Sequence, residues 1–306
     1  MQTTSHILMI RPVRFAFNEQ TAESNAFQDP TAREAAEAAQ DEALKEFDAM
    51  VENLRGHGID VTVVTDTPEP HTPDAIFPNN WVSFHDNGTI CLYPMQAPNR
   101  RLERREDIIE QLKRNFQVEM VLDFSDYEQC NKFLEGTGSM VLDRVNRIAY
   151  ACLSPRTDAE VLKDFGSKLG YQIVSFTATD EKGKHIYHTN VVMSIGETFA
   201  VVCLECIRDE KERLFVQKTI ANTDREVIAI SIEQLQRFAG NMLQLRTKQG
   251  EGLLVMSTQA YRSLLPDQIQ RLERHTNLIY HDLYTIERNG GGSARCMIAE
   301  VHLPKN

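Results

Sequence analysis

The chain has 306 residues, 42% of them hydrophobic and 25% charged, which excludes a disordered, collagen-like or disulfide-scaffold chain. At roughly 150 residues per domain this length suggests about two domains, and it is ample for a large buried core. Against 33 Lys and Arg stand 44 Asp and Glu, a net charge of −11, which disfavours nucleic acid as a partner because such binders carry a basic face.

The first residues, Met1 to His6, are polar and lack the basic stretch and apolar core of a secretory signal. No apolar run approaches the roughly 18 residues of a membrane helix, so no membrane partner is expected. Six cysteines (Cys91, Cys130, Cys152, Cys203, Cys206 and Cys296) are scattered over the chain. They read as reduced thiols of a cytoplasmic protein.

In chain order, residues 7–10 predict a short strand, and 13–30 read as a polar loop. Residues 31–55 predict a helix, with Ala39, Leu44, Phe47, Met50, Val51 and Leu54 at helical spacing and Gly56 and Gly58 closing it. A β-branched strand follows at 59–64. Residues 81–84 and 89–93 predict a hairpin around Asn87-Gly88, followed by a helix at 101–115 and a strand at 118–122. The same order recurs three times. The second copy has a hairpin at 139–142 and 147–152, a helix at 157–170 and a strand at 172–176. The third has a hairpin at 190–194 and 198–203, a helix at 209–221 and a strand at 227–230. The fourth has a hairpin at 241–246 and 252–256, a helix at 259–274 interrupted by Pro266, and a strand at 277–281. Residues 294–301 predict a lone strand.

Joining that lone strand to the first one makes a fifth unit. A spacing of ~50–60 residues between equivalent strands is a repeat signature. The expected fold class is therefore α/β, a single domain over 1–306 with pseudo-fivefold symmetry whose last unit is closed by both termini. Two ordinary α/β domains are the competing arrangement.

The polar residues that carry chemistry fall at one place in successive units, the lead-in to each hairpin: Asn80, Glu135, His188, Asn241 and Cys296. In a ring of equivalent units such positions converge on the axis. A converging Cys, His and Glu supply a nucleophile, a general acid/base and an orienting carboxylate. Cys203-Leu204-Glu205-Cys206 has no second pair to complete a zinc site, and the histidines show no metal-ligand spacing, so no metal is expected.

Gly-Gly-Gly-Ser-Ala-Arg-Cys-Met at 290–297, Glu-Gly-Thr-Gly at 135–138 and His-Thr-Asn at 188–190 resemble the three catalytic motifs of the pentein, or guanidino-group modifying, superfamily. Arginine and agmatine deiminases, dimethylarginine dimethylaminohydrolases and amidinotransferases belong to it. The resemblance covers nearly the whole chain and implies a five-bladed α/β propeller. It implies Cys296 as nucleophile, His188 as general acid/base, Glu135 as the carboxylate holding substrate or His188, and no cofactor. The second Arg of Ala97-Pro98-Asn99-Arg100-Arg101 and the Arg of Leu153-Ser154-Pro155-Arg156-Thr157 match stretches that bind the substrate carboxylate in dimethylarginine hydrolases. Arg101 and Arg156 are thus expected on the carboxylate of a small amino-acid substrate, with Asp74 on its α-amino group and Asn241 as a further substrate contact. Self-association is left open.

Two departures from the family bear on the substrate. Arginine deiminases clamp the cationic guanidinium with two aspartates, and the matching positions here are Asn80 and Asn190. A buried cation wants carboxylates, whereas an amide offers a donor and an acceptor without charge. The resemblance therefore extends to the citrulline hydrolase subgroup, with a neutral ureido substrate giving ornithine, ammonia and carbon dioxide. A one-residue slip, with Asp74 or Asp86 supplying charge, would return the substrate to arginine or a methylated or acylated arginine. A non-catalytic propeller, like the pentein-fold ribosome anti-association factor, is the alternative of another class.

Overall fold

The computed structural model describes the backbone of residues 1–306 and the side chains of all but residues 33–37. Five three-stranded sheets form, one per predicted unit. The unit shared by the chain ends pairs Ala299–Glu300, His6–Arg11 and Asp60–Thr65. The others pair Val82–Phe84, Thr89–Leu92 and Met120–Asp123; Val141–Asp143, Ile148–Cys152 and Gln172–Phe176; Met193–Ile195, Phe199–Val202 and Glu226–Ala229; and Leu243–Arg246, Gly252–Ser257 and Asn277–His281. In each sheet the first two strands are antiparallel and the third joins in parallel. The parallel step requires a crossover, which the helices provide.

The middle strands are buried along almost their whole length, as in Ile148–Cys152 and Phe199–Val202, which explains their near-continuous apolar sequence. Helix Ala36–Gly56 buries Ala39, Ala43, Phe47, Met50, Val51 and Leu54 on one face. Asp158 and Asp209 cap Ala159–Leu169 and Glu210–Ala221 by accepting from the first free backbone N–H groups.

Shared cores close the ring. Leu8 and Ile10 pack with Val82 and Phe84. Cys91 and Tyr93 pack with Leu142 and Ala149. One core holds Tyr150, Val201 and Leu254 of three successive units, and another holds Leu243 and Val255 with Ile7 and Met9. The result is the five-bladed α/β propeller of the pentein fold.

The boundaries differ from the sequence reading at the lead-ins to the inner strands. Residues 190–192 and Ser139 belong to one-turn helices, Thr189–Val192 and Gly136–Ser139, and a third turn, Pro78–Asn80, precedes Val82. Residues 294–297 also turn, leaving only Ala299–Glu300 as strand. The helix expected at 101–115 divides into Pro98–Arg101 and Glu106–Lys113, and an additional helix, Tyr284–Gly290, leads into the glycine run.

Candidate active site

These single turns bring the lead-in residues together. Glu135 immediately precedes Gly136–Ser139, and His188 immediately precedes Thr189–Val192. The backbone needs glycine here. Gly136 has φ +48°, and a Cβ on Gly138 would lie 2.8 Å from the His188 ring and closer still to the Asn80 amide. The imidazole, the amide and this backbone are thus in direct contact.

His188 Nε2 lies 2.8 Å from Glu135 Oε2. Glu135 Oε1 accepts from Gln96 N at 3.0 Å, and Arg156 Nη1 donates to Oε2 at 3.5 Å. Burial by itself raises the Glu135 carboxyl, but Arg156, the His188 hydrogen bond and Arg100 outweigh it and hold the group well below the usual carboxylate range. His188 is pushed down to about 4 by burial, which the Glu135 interaction only partly opposes. Both directions favour a carboxylate beside a neutral imidazole, which is able to accept a proton.

Cys296 is 3% exposed. Two amides point at its sulfur: Asn190 Nδ2 at 3.4 Å and Asn241 Nδ2 at 3.2 Å. Asn241 Oδ1 accepts from Arg295 N, so its NH2 must face the thiol. Asn190 Oδ1 is buried without a hydrogen-bond partner among the described residues.

One cavity is bordered by Asp74, Asn80, Arg100, Arg156, His188 and Cys296. Of the nine residues expected at the site, Asn241 touches the thiol from beside the cavity, and Glu135 and Asn190 contact its walls. Arg101 is elsewhere. Its guanidinium donates to the carbonyls of Met95 and Gln96 and pairs with Glu128. Arg100 is the arginine that turns inward, bound to Glu103 and Asn80. Asp86 pairs with Arg147 on the surface, whereas Asp74 is buried 3.7 Å from Arg100 with Oδ1 unpartnered.

The loop at 13–30, in which the sequence singles out no site residue, places Asn25 in the cavity lining and bonds to its wall residues. Asn18 Nδ2 donates to Asp74 at 2.7 Å, Arg156 donates to Ser24 Oγ at 2.7 Å and to Thr21 O at 3.3 Å, and Asn25 Nδ2 donates to Gly290 O at 3.1 Å. Tyr187 completes the wall beneath the Arg156 guanidinium, its hydroxyl donating to Gly291 O. Recurring Asn, Thr, Ser and Gln between residues 18 and 28 were the available signal. Among the described residues, no group of three or more His, Cys, Asp or Glu side chains is placed to hold a metal ion. No helix is long and apolar enough to cross a membrane.

The family model described as N,N dimethylarginine dimethylhydrolase, eukaryotic, matches residues 11–303. The chain belongs to that family. Membership in this dimethylhydrolase family makes it a hydrolase of carbon–nitrogen bonds in guanidino-type compounds. No curated protein matches its sequence. Among solved structures, the substrate-bound N-terminal domain of ArgZ, an arginine dihydrolase from the ornithine–ammonia cycle in cyanobacteria, superposes with TM-score 0.76 at 16% identity, covering 98% of both chains. Against full-length ArgZ the TM-score is 0.77 at 16% identity, with 98% of this chain covered but 41% of that one. The dimethylhydrolase-family member from Pseudomonas aeruginosa, in a mutant form complexed with citrulline, matches with TM-score 0.65 at 17% identity, covering 98% of this chain and 100% of that one. At these identities the superpositions establish the shared pentein fold.

Proposed function

We propose that this dimethylhydrolase-family chain hydrolyses the ureido group of free citrulline to ornithine, ammonia and carbon dioxide through a covalent intermediate on Cys296. The observation that carries this reading is Asn190, a neutral residue whose Nδ2 is 3.4 Å from the thiol and whose buried Oδ1 has no partner. It offers a ureido N–H an acceptor where a guanidinium would want a carboxylate.

The remaining groups fit an amino-acid tail. Asp74 Oδ1 can take the α-ammonium group. Arg156 supplies a guanidinium to the α-carboxylate, and Arg100 occupies the position expected of Arg101. In this reading 1–306 act as one domain, since residues from Asn25 to Cys296 line one cavity.

The chemistry follows from the neutral His188. It takes the Cys296 proton as Sγ attacks the ureido carbon, and then delivers it to the nitrogen that departs. The N–H that Asn80 turns to the cavity stabilises the oxyanion. His188 next deprotonates a water that attacks the thiocarbamate. The C–S bond breaks, the thiol is restored, and the released carbamate divides into carbon dioxide and the second amine. One water is consumed for each ornithine, ammonia and carbon dioxide formed.

The test incubates the purified protein separately with citrulline, arginine and dimethylarginine, measuring ornithine, ammonia and citrulline. Equimolar ornithine and ammonia from citrulline is the expected result. Citrulline formed from either guanidino compound, with added citrulline untouched, overturns the reading.

A further inference from the structure

An aspartate at position 80 would present the same oxygen to substrate whichever way its carboxylate turned. An asparagine would not: one end donates and the other accepts. We propose that Arg100 is a specificity-determining positioning residue that fixes which end of the Asn80 amide faces the substrate. This rests on the citrulline reading above and names what would enforce it.

A guanidinium can only donate. The Asn80 atom 2.8 Å from Arg100 Nη1 is therefore the carbonyl oxygen. Asn80 Nδ2 gives one hydrogen to Asn79 Oδ1 at 3.0 Å, leaving its second N–H for the cavity. The clamp has no slack. Glu103 holds Arg100 bidentately, at 2.8 Å to Nε and 2.9 Å to Nη2, and Phe77 O accepts from Nη2 at 3.4 Å. The Arg100 and Glu103 side chains are 2% and 1% exposed.

Asn190 has the opposite sense. Its NH2 is directed at Cys296 and its carbonyl is unpartnered. Together the two residues offer one N–H and one C=O, the complement of a ureido C=O and NH2. A guanidinium carries donors alone. At Asn190 it would find an acceptor without the carboxylate its charge wants, at Asn80 it would turn N–H against N–H, and a site with a mismatched buried polar group rejects its ligand strongly.

The experiment measures calorimetric binding of citrulline and of arginine to the Cys296→Ala protein. Both ligands share the α-amino and α-carboxyl ends, so any effect of Arg100 on those ends cancels in the affinity ratio. Arg100→Met combined with Glu103→Gln, which removes the guanidinium together with its bidentate partner, should lower the citrulline-to-arginine ratio about tenfold or more. Arg100→Lys, which keeps a donor, should hold the ratio within about threefold of the parent's, well inside the span of one hydrogen bond. Equal losses for both ligands in the double variant would overturn the assignment. A parent protein that prefers arginine would instead refute the citrulline reading. A second measurement needs no Arg100 variant. The Asn80 side-chain NH2 resonances, assigned by their loss in Asn80→Ser, should show one proton moving downfield on saturation with citrulline. If neither moves, Asn80 does not donate and the inference fails.

Discussion

Glu135→Gln removes one charge on which two buried groups depend. Glu135 is fully buried, with His188 Nε2 at 2.8 Å and Arg156 Nη1 at 3.5 Å on the same oxygen. The isostere keeps an acceptor but no charge, and Arg156 is left with the neutral Ser24 Oγ and Thr21 O. Breaking a buried ion pair costs about 3–5 kcal/mol. The long Arg156 contact argues for the lower end, about 3 kcal/mol, or a fall in Tm of about 6 °C for a chain of this size. His188 loses the carboxylate that stabilises its imidazolium. A charge-assisted hydrogen bond is worth about 1.5–3 kcal/mol, so kcat/KM for citrulline should fall about 10- to 150-fold. The assay pairs ornithine release across citrulline concentrations with thermal unfolding of the same samples. The carboxyl is depressed in the native state, so its contribution is present above the unfolded pKa and fades as pH drops below it. The variant should lack that component of acid loss. A Tm within about 1 °C of wild type and kcat/KM within about threefold, both far below these magnitudes, would refute the reasoning.

Other substitutions test the remaining parts of the site. Cys296→Ser should abolish ornithine formation while leaving the unfolding transition in place; retained turnover would remove the thiol from the mechanism. Asn80→Asp together with Asn190→Asp should move preference toward arginine, read as the ratio of kcat/KM values, and loss of both substrates alike would weaken the charge argument. Gly138→Ala should cost about tenfold or more in kcat/KM, because a Cβ 2.8 Å from the His188 ring must displace it; unchanged activity would show that the imidazole has room to spare. His188, His281 and His302 are each pushed down to about 4, led by burial. The unfolded chain binds those protons near pH 6.5 and the native chain does not. Stability should therefore fall as pH drops from about 6.5 toward 4, and a flat Tm across that window in a buffer series would contradict it.

Most of the architecture was legible because each unit repeats strong local signals: an apolar hairpin, an amphipathic helix and a half-buried strand. The lead-ins to the inner strands were not, since turns such as Thr189–Val192 are too short to show periodicity. Yet their convergence could be read, because equivalent positions in a ring meet however they are folded. Arg100 and Arg101 show the limit. Adjacent residues in the single turn Pro98–Arg101 project about 100° apart, and which one faces inward depends on how the chain enters that turn. The loop at 13–30 was illegible for another reason. It is held by side chains bonded to distant backbone, such as Gln28 Nε2 on Asn289 O, and no local pattern records such partners.

The seam where residues 6–11 meet 299–300 has a consequence for synthesis. The N-terminal strand emerges first and must wait for nearly the whole chain before its antiparallel neighbour exists. Long-range pairing of this kind is slow, because loop closure precedes the contacts that reward it. Cys296 is translated after every other group in the site, so a nascent or truncated chain holds Glu135, His188 and the arginines without the thiol. The proposed hydrolysis would thus become available only with the closing of the ring.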